Sequence, residues 1–166
     1  MKINRVYFET VGSTNSWAKE HAGALDQEAL TIIVADAQTQ GRGRFKRQWI
    51  SPKGCNLYAT YVFFVEHLQF SLGNLPQILA LAAYQVLHPL VNEIAIKWPN
   101  DLVVDAKKLG GILCEVVGVE QKYAVVIGLG VNINMSKEDL KVVDRPATSL
   151  KELLGDEIDR KQIAEA

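Results

Sequence analysis

Beyond residue 90 the chain offers a short strand candidate, Ile94 to Lys97, and then three more in a row, at 102–104, 112–117 and 123–133. The segments between them are too short to hold a crossover helix. A parallel return needs a dozen residues or more, so these neighbours pair antiparallel. That excludes a doubly wound parallel sheet. The expected fold class is α+β: a mixed, largely antiparallel sheet packed with helices, in one domain over residues 1–166.

The first half supplies further elements. Val6 to Phe8 and Leu30 to Ala35 read as short strands, and Leu57 to Val65 as a long one. A helix near 15–24 follows Ser13 or Thr14, either of which can cap it. Leu68 to Gly73 reads as a linker. Leu75 to Leu90 reads as a helix with Ile78, Leu79, Ala82, Ala83, Val86, Leu87 and Leu90 on its apolar face, stopped by Pro89 and Asn92. Asp105 to Lys108 reads as a charged hairpin turn. Thr148 to Leu154 and Arg160 to Ala164 are helix candidates.

Between the strands at 30–35 and 57–65, near the expected end of the sheet, lies GRGRFKRQWISPKGCNLY, residues 41–58. It carries Arg42, Arg44, Lys46, Arg47 and Lys53, and residues 37–65 contain no Asp or Glu. Alternating glycines let backbone N–H groups approach an anion, and arginine supplies planar bidentate donors. A solvated basic loop explains the charge alone equally well. The net charge of −1 makes the loop a local feature and argues against broad nucleic-acid binding. Cys55 and Cys114 have no zinc or disulfide spacing. His21, His67 and His88 are isolated and receive no role. The N-terminus lacks a signal core, and no apolar run reaches membrane-span length, so a cytoplasmic protein is expected.

Four other clusters sit at turns beside strands. Lys97-Trp98-Pro99-Asn100-Asp101 displays a cation, an amide and a carboxylate around a proline; alone it is more simply a tight turn. In Asp105 to Gly111, a lysine before Gly-Gly either faces solvent or bends over a site. Gly128-Leu-Gly130-Val-Asn132 is not a dinucleotide fingerprint, because its third glycine is missing and the order around it is strand–strand, not strand–helix. Ser13-Thr14-Asn15 is by itself a helix cap. Trp49 and Trp98 suit stacking on a base or core packing equally.

Taken in order, STN at 13–15, QxxGRGR at 38–44, WxSPxGxNLY at 49–58, KWPND at 97–101, KxxGILxE at 108–115 and GxGxN at 128–132 resemble the catalytic domain of biotin–protein ligases, and they cover almost the whole chain. The resemblance implies a fold like that of class II aminoacyl-tRNA synthetases. It implies attack of biotin's carboxylate on the α-phosphate of ATP with Mg²⁺, giving biotinyl-5′-AMP, then transfer to a lysine of a biotin carboxyl carrier domain. Ser13, Thr14, Asn15 and Gln38 would face the ureido ring, with backbone at Arg42 and Gly43. Gly111 would allow close approach of biotin. Arg44, Lys108 and Asp101 would be catalytic, Arg44 retaining the adenylate and Lys108 meeting the biotin carboxylate. Asp101 would also be the Mg²⁺ ligand or receive the carrier lysine. Arg42, Arg44, Trp49, Asn100 and Asn132 would lie toward the nucleotide.

The pattern departs from the family at Phe45-Lys46-Arg47, where a glycine is lost. A DNA-binding helix-turn-helix and the small C-terminal β-barrel are not expected within these residues, so the resemblance is to the monofunctional type, without nucleic-acid or membrane partners. Family dimers make a homodimer compatible with it. A lipoate or octanoate ligase of similar fold is the enzyme alternative, and a truncated biotin- or adenylate-binding module the non-enzymatic one.

Overall fold

Strand β3 (Leu57–Val65) and strand β7 (Lys122–Val131) are almost wholly apolar, as strands covered on both faces must be. They pair antiparallel at the centre of a seven-stranded sheet with the order β1-β2-β3-β7-β6-β5-β4. The structure is a computed structural model and describes residues 1–68 and 73–165. The linker expected at 68–73 falls mostly outside them.

Strand β1 (Lys2–Phe8) pairs parallel with β2 (Ala29–Ala35), and helix α1 (Thr14–His21) is the crossover between them. Every other pair is antiparallel. Strands β4 (Ala95–Lys97), β5 (Asp101–Val104) and β6 (Lys107–Val119) meander back to β7. Helix α2 (Leu75–Leu87) lies on one face, and short helices α3 (Lys137–Leu140), α4 (Leu150–Leu154) and α5 (Arg160–Glu165) follow β7.

Side chains alternate between faces along each strand. Leu57 and Ala59 of β3, Ile112 of β6 and Val125, Ile127, Leu129 and Val131 of β7 form a core with Ala80, Ala83 and Leu87 of α2. Val62, Ala124 and Val126 face the opposite way and pack with Ala18 and Ala22 beneath α1. Continued two residues at a time, that second face reaches Gly128 and Gly130 on β7. The sheet is therefore bare beyond the end of α1.

Three expectations need correction. The α2 face that meets the sheet is Ala80, Ala83 and Leu87, whereas Ile78 and Leu81 are 60% and 50% exposed. The helix is apolar nearly all round, so spacing could not choose a face; small residues settle where the sheet comes closest. Helix α2 also ends at Leu87, because Pro89 cannot continue it. Lys107 and Lys108 belong to β6, and the turn is only Asp105-Ala106, both with positive φ (48° and 62°) as a tight hairpin requires. Helix α3, with a capping box between Ser136 and Asp139, was not anticipated.

Candidate active site

The bare part of the sheet is a set of cross-strand rows. Val62, Val126 and Glu115 stand side by side; next come Thr60, Gly128 and Leu113, then Tyr58, Gly130 and Gly111. The glycines leave room above the floor, and two side chains reach into it. The Asn15 amide rests on Gly128, so closely that a Cβ there would overlap its Oδ1. The Trp49 indole rests on Gly130, where a Cβ would stand 2.6 Å from Cε2. These are close approaches that only glycine permits.

Asn15 arrives on the first turn of α1, whose N-cap is Ser13 (Oγ accepts from the Ser16 N–H at 3.4 Å). Its Nδ2 donates to the Leu113 carbonyl and to Glu115, both at 3.1 Å, and its Oδ1 lies 2.7 Å from the Thr60 hydroxyl. The Thr14 N–H and hydroxyl both donate to Gln38 Oε1, at 2.9 and 3.1 Å. Gln38 Nε2 donates to Ser51, whose hydroxyl donates to the Trp49 carbonyl at 2.9 Å. Ser13, Thr14, Asn15 and Gln38 thus form one polar wall, with Asn15 anchored almost entirely to protein.

The glycine/arginine loop crosses above the middle strands rather than lying at the sheet's end, as expected from chain order alone. It is pinched at its base, where the Trp49 N–H donates to the Gly41 carbonyl at 2.9 Å. A Cβ on Gly41 would collide with the Trp49 carbonyl. At its tip, the Gly43 N–H donates to the Arg47 carbonyl at 2.8 Å, while Phe45 and Lys46 take φ of 56° and 60°. The position where a glycine was expected is therefore held by side-chain residues in a left-handed conformation, at about 1 kcal/mol or more each. Phe45 is exposed, with the Arg44 guanidinium 5.0 Å over its ring.

The charges converge unevenly. Lys108 Nζ meets Asp101 Oδ1 at 2.5 Å, with the two side chains 17% and 24% exposed, and lies 5.5 Å over the Trp49 ring. Arg44 donates to Asn100 Oδ1 at 3.1 Å, and Asn100 is itself fixed by donating to the Ile112 carbonyl at 2.8 Å. Arg42 points elsewhere, donating to Glu115 Oε1 at 2.8 Å and to Ser16 Oγ at 3.1 Å. Glu115 also accepts from Lys19 at 2.6 Å. Burial alone would raise the Glu115 pKa, but the hydrogen bonds from Lys19 and Asn15 and the charges of Lys19 and Arg42 outweigh it and hold the carboxyl below its ordinary value.

One cavity brings together Ser13, Thr14, Asn15, Gln38, Arg42, Gly43, Arg44, Trp49, Asn100, Asp101, Lys108, Gly111 and Asn132. Asn132 is buried and donates to the Thr148 carbonyl at 3.1 Å, so its amide holds the wall. That wall, residues 146–148, pairs with Lys108 like a short strand.

Five contributors were not singled out from sequence. Thr60 and Ser51 are small hydroxyls with no motif-like spacing. Glu115 was visible as the last letter of KxxGILxE but had no role. Asp144 and Arg145, which also line the cavity, sit in a segment read only as charge-dense. Among the described residues no cluster of His, Cys, Asp and Glu could hold a metal, and Trp49 Nε1 is buried without a partner. Both cysteines are free, and no described helix is long and apolar enough to cross a membrane.

Residues 7–132 match the biotin/lipoate A/B protein ligase family. The bifunctional ligase/repressor BirA of Bacillus spizizenii is 35% identical over 164 residues, covering 93% of this chain and 48% of that protein. The biotin protein ligase of Leishmania major in complex with biotinyl-5-AMP superposes with a TM-score of 0.80 at 28% identity, over 98% of this chain and 70% of that one. The Aquifex aeolicus biotin protein ligase in complex with biotin and ATP gives 0.77 at 32% identity, over 98% and 66%. The chain spans about half the length of the first curated relatives it matches.

Proposed function

Since the chain belongs to the biotin/lipoate A/B protein ligase family, we propose that it condenses biotin with ATP to biotinyl-5′-AMP and passes the biotinyl group to a lysine of a biotin carboxyl carrier domain. The observation that carries this reading is the two-ended cavity: a neutral hydrogen-bonding wall at Ser13, Thr14 and Gln38, and a cationic end at Lys108 and Arg44, above a glycine floor. A ureido ring suits the first and a carboxylate beside a phosphate the second.

Bringing two anions together is the difficulty of the first step. Lys108, largely shielded from water, offsets that repulsion more than an exposed lysine could. Its pairing with Asp101 holds the ammonium where the substrate carboxylate would arrive. Arg44 would bind the α-phosphate and keep the adenylate from leaving. Trp49 and the loop cover the reactive anhydride and exclude water.

In the second step the anhydride carbon is attacked by the carrier lysine's neutral amine, AMP departs, and the amine proton must be taken up. Asp101, which lines the same cavity, would take it up. Mg²⁺ usually rides on nucleotide phosphates with one or two protein carboxylates; Asp101, which lines the cavity, would be the one to meet it.

The neutral wall favours biotin over lipoate, whose dithiolane offers it no hydrogen-bond partners. Radiolabelled pyrophosphate exchange into ATP should depend on biotin. Exchange driven by lipoate alone would replace the substrate, and adenylate binding without labelling of a carrier domain would reduce the chain to a binding module. We further propose a cytoplasmic location, where carrier domains are made. A homodimer is tested by sedimentation.

A further inference from the structure

We propose that Glu115 is a positioning residue that latches the glycine/arginine loop to the sheet and to α1, drawing the Arg42 side chain off the substrate cavity; this rests on the ligase reading for its consequence but not for its geometry. Glu115 sits in a row with Val62 and Val126, both fully buried. A carboxylate beside such neighbours is costly unless it is fully partnered. Its three partners come from two separate elements: Asn15 and Lys19 from α1, and Arg42 from the loop. No other described ion pair ties the loop tip to the sheet. The Arg42 guanidinium bonds Glu115 and Ser16, neither of which lines the cavity.

The latch therefore separates the two arginines of GRGR. Arg42 fixes the loop and Arg44 is left to face the cavity. It also couples the loop to the neutral wall, because the same carboxylate holds Asn15, and Asn15 rests on Gly128 and meets Thr60. A role in neutralising Lys19 alone makes a different prediction, since Lys19 belongs to the helix and does not touch the loop.

The test is limited trypsin digestion of the ligand-free protein, following cleavage after Arg44, Lys46 and Arg47. Glu115→Gln and Arg42→Gln should each raise cleavage there about tenfold, whereas Lys19→Gln should leave it within about twofold. Equal cleavage in all four proteins overturns the latch. If Glu115→Gln does not fold, the exposed Arg42→Gln decides the matter by itself. With biotin and ATP, the two loop-releasing variants should also leak more adenylate, read as labelling of bystander lysines, and unchanged leakage would remove the positioning role. A wild-type protein that forms no biotinyl-adenylate would sink the ligase reading while the digestion still decides the latch.

Discussion

Lys108 and Asp101 face each other across the β5–β6 hairpin at 2.5 Å, and both line the substrate cavity. Two residues that a linear motif keeps seven positions apart become one charge pair, because the hairpin between them turns on only Asp105 and Ala106. The pair is shielded enough for its charges to count, since neither side chain is more than a quarter exposed.

Replacing Lys108 with alanine leaves Asp101 unpaired and removes the cation expected to meet the biotin carboxylate. Biotin affinity should fall by roughly 2–3 kcal/mol, a loss of about 30- to 150-fold in calorimetry. An unchanged affinity removes Lys108 from the site.

Gly130→Ala puts a methyl into the Trp49 indole, while the opposite face of β7 stays intact. Ligand affinity should drop at least about tenfold, with a loss of stability of about 1–3 kcal/mol. Tryptophan fluorescence should report the displaced ring. Full affinity with an unaltered spectrum would mean that Trp49 does not lie over the floor in solution.

Arg44→Gly should leave biotin binding nearly intact but release the intermediate. Labelling of bystander lysines should rise relative to carrier labelling. The same carrier-to-bystander ratio as wild type would count against Arg44 retaining the adenylate.

The depressed pKa of Glu115 makes part of the stability pH-dependent. A carboxyl whose folded pKa is lowered contributes stability above its unfolded value, near 4.5, and loses that contribution as pH falls through the folded value. The melting-temperature gap between wild type and Glu115→Gln should thus be widest near neutral pH and narrow progressively below about pH 4.5. A gap that stays constant to low pH would mean the carboxylate is not stabilised by its cations.

The antiparallel pairing of the later strands was readable because the meander after α2 is a series of apolar runs with little room for crossovers. The same was true of the clusters that line the cavity, since each carries its own motif. Three features were hidden for physical reasons. The α2 face could not be read from a helix apolar on most sides. The placement of Lys108 on a strand depended on a two-residue turn that composition blurred into four. Glu115 and Thr60 acquire their roles only through cross-strand registry, which brings residue 60 beside 128 and 126 beside 115. The loop's position over the sheet's middle likewise follows from Trp49 finding a glycine eighty-one positions later, a match that exists only in the folded chain.

The row Tyr58–Gly130–Gly111 joins partners far apart in the sequence, so it forms only with the central β3–β7–β6 pairing. No partly folded form can then own a half-built cavity. A variant weakened in those strands away from the cavity floor should lose active molecules rather than affinity, and saturating ligand should win some of them back by mass action. For this protein, counting binding sites by titration is a measure of how much of the population is folded.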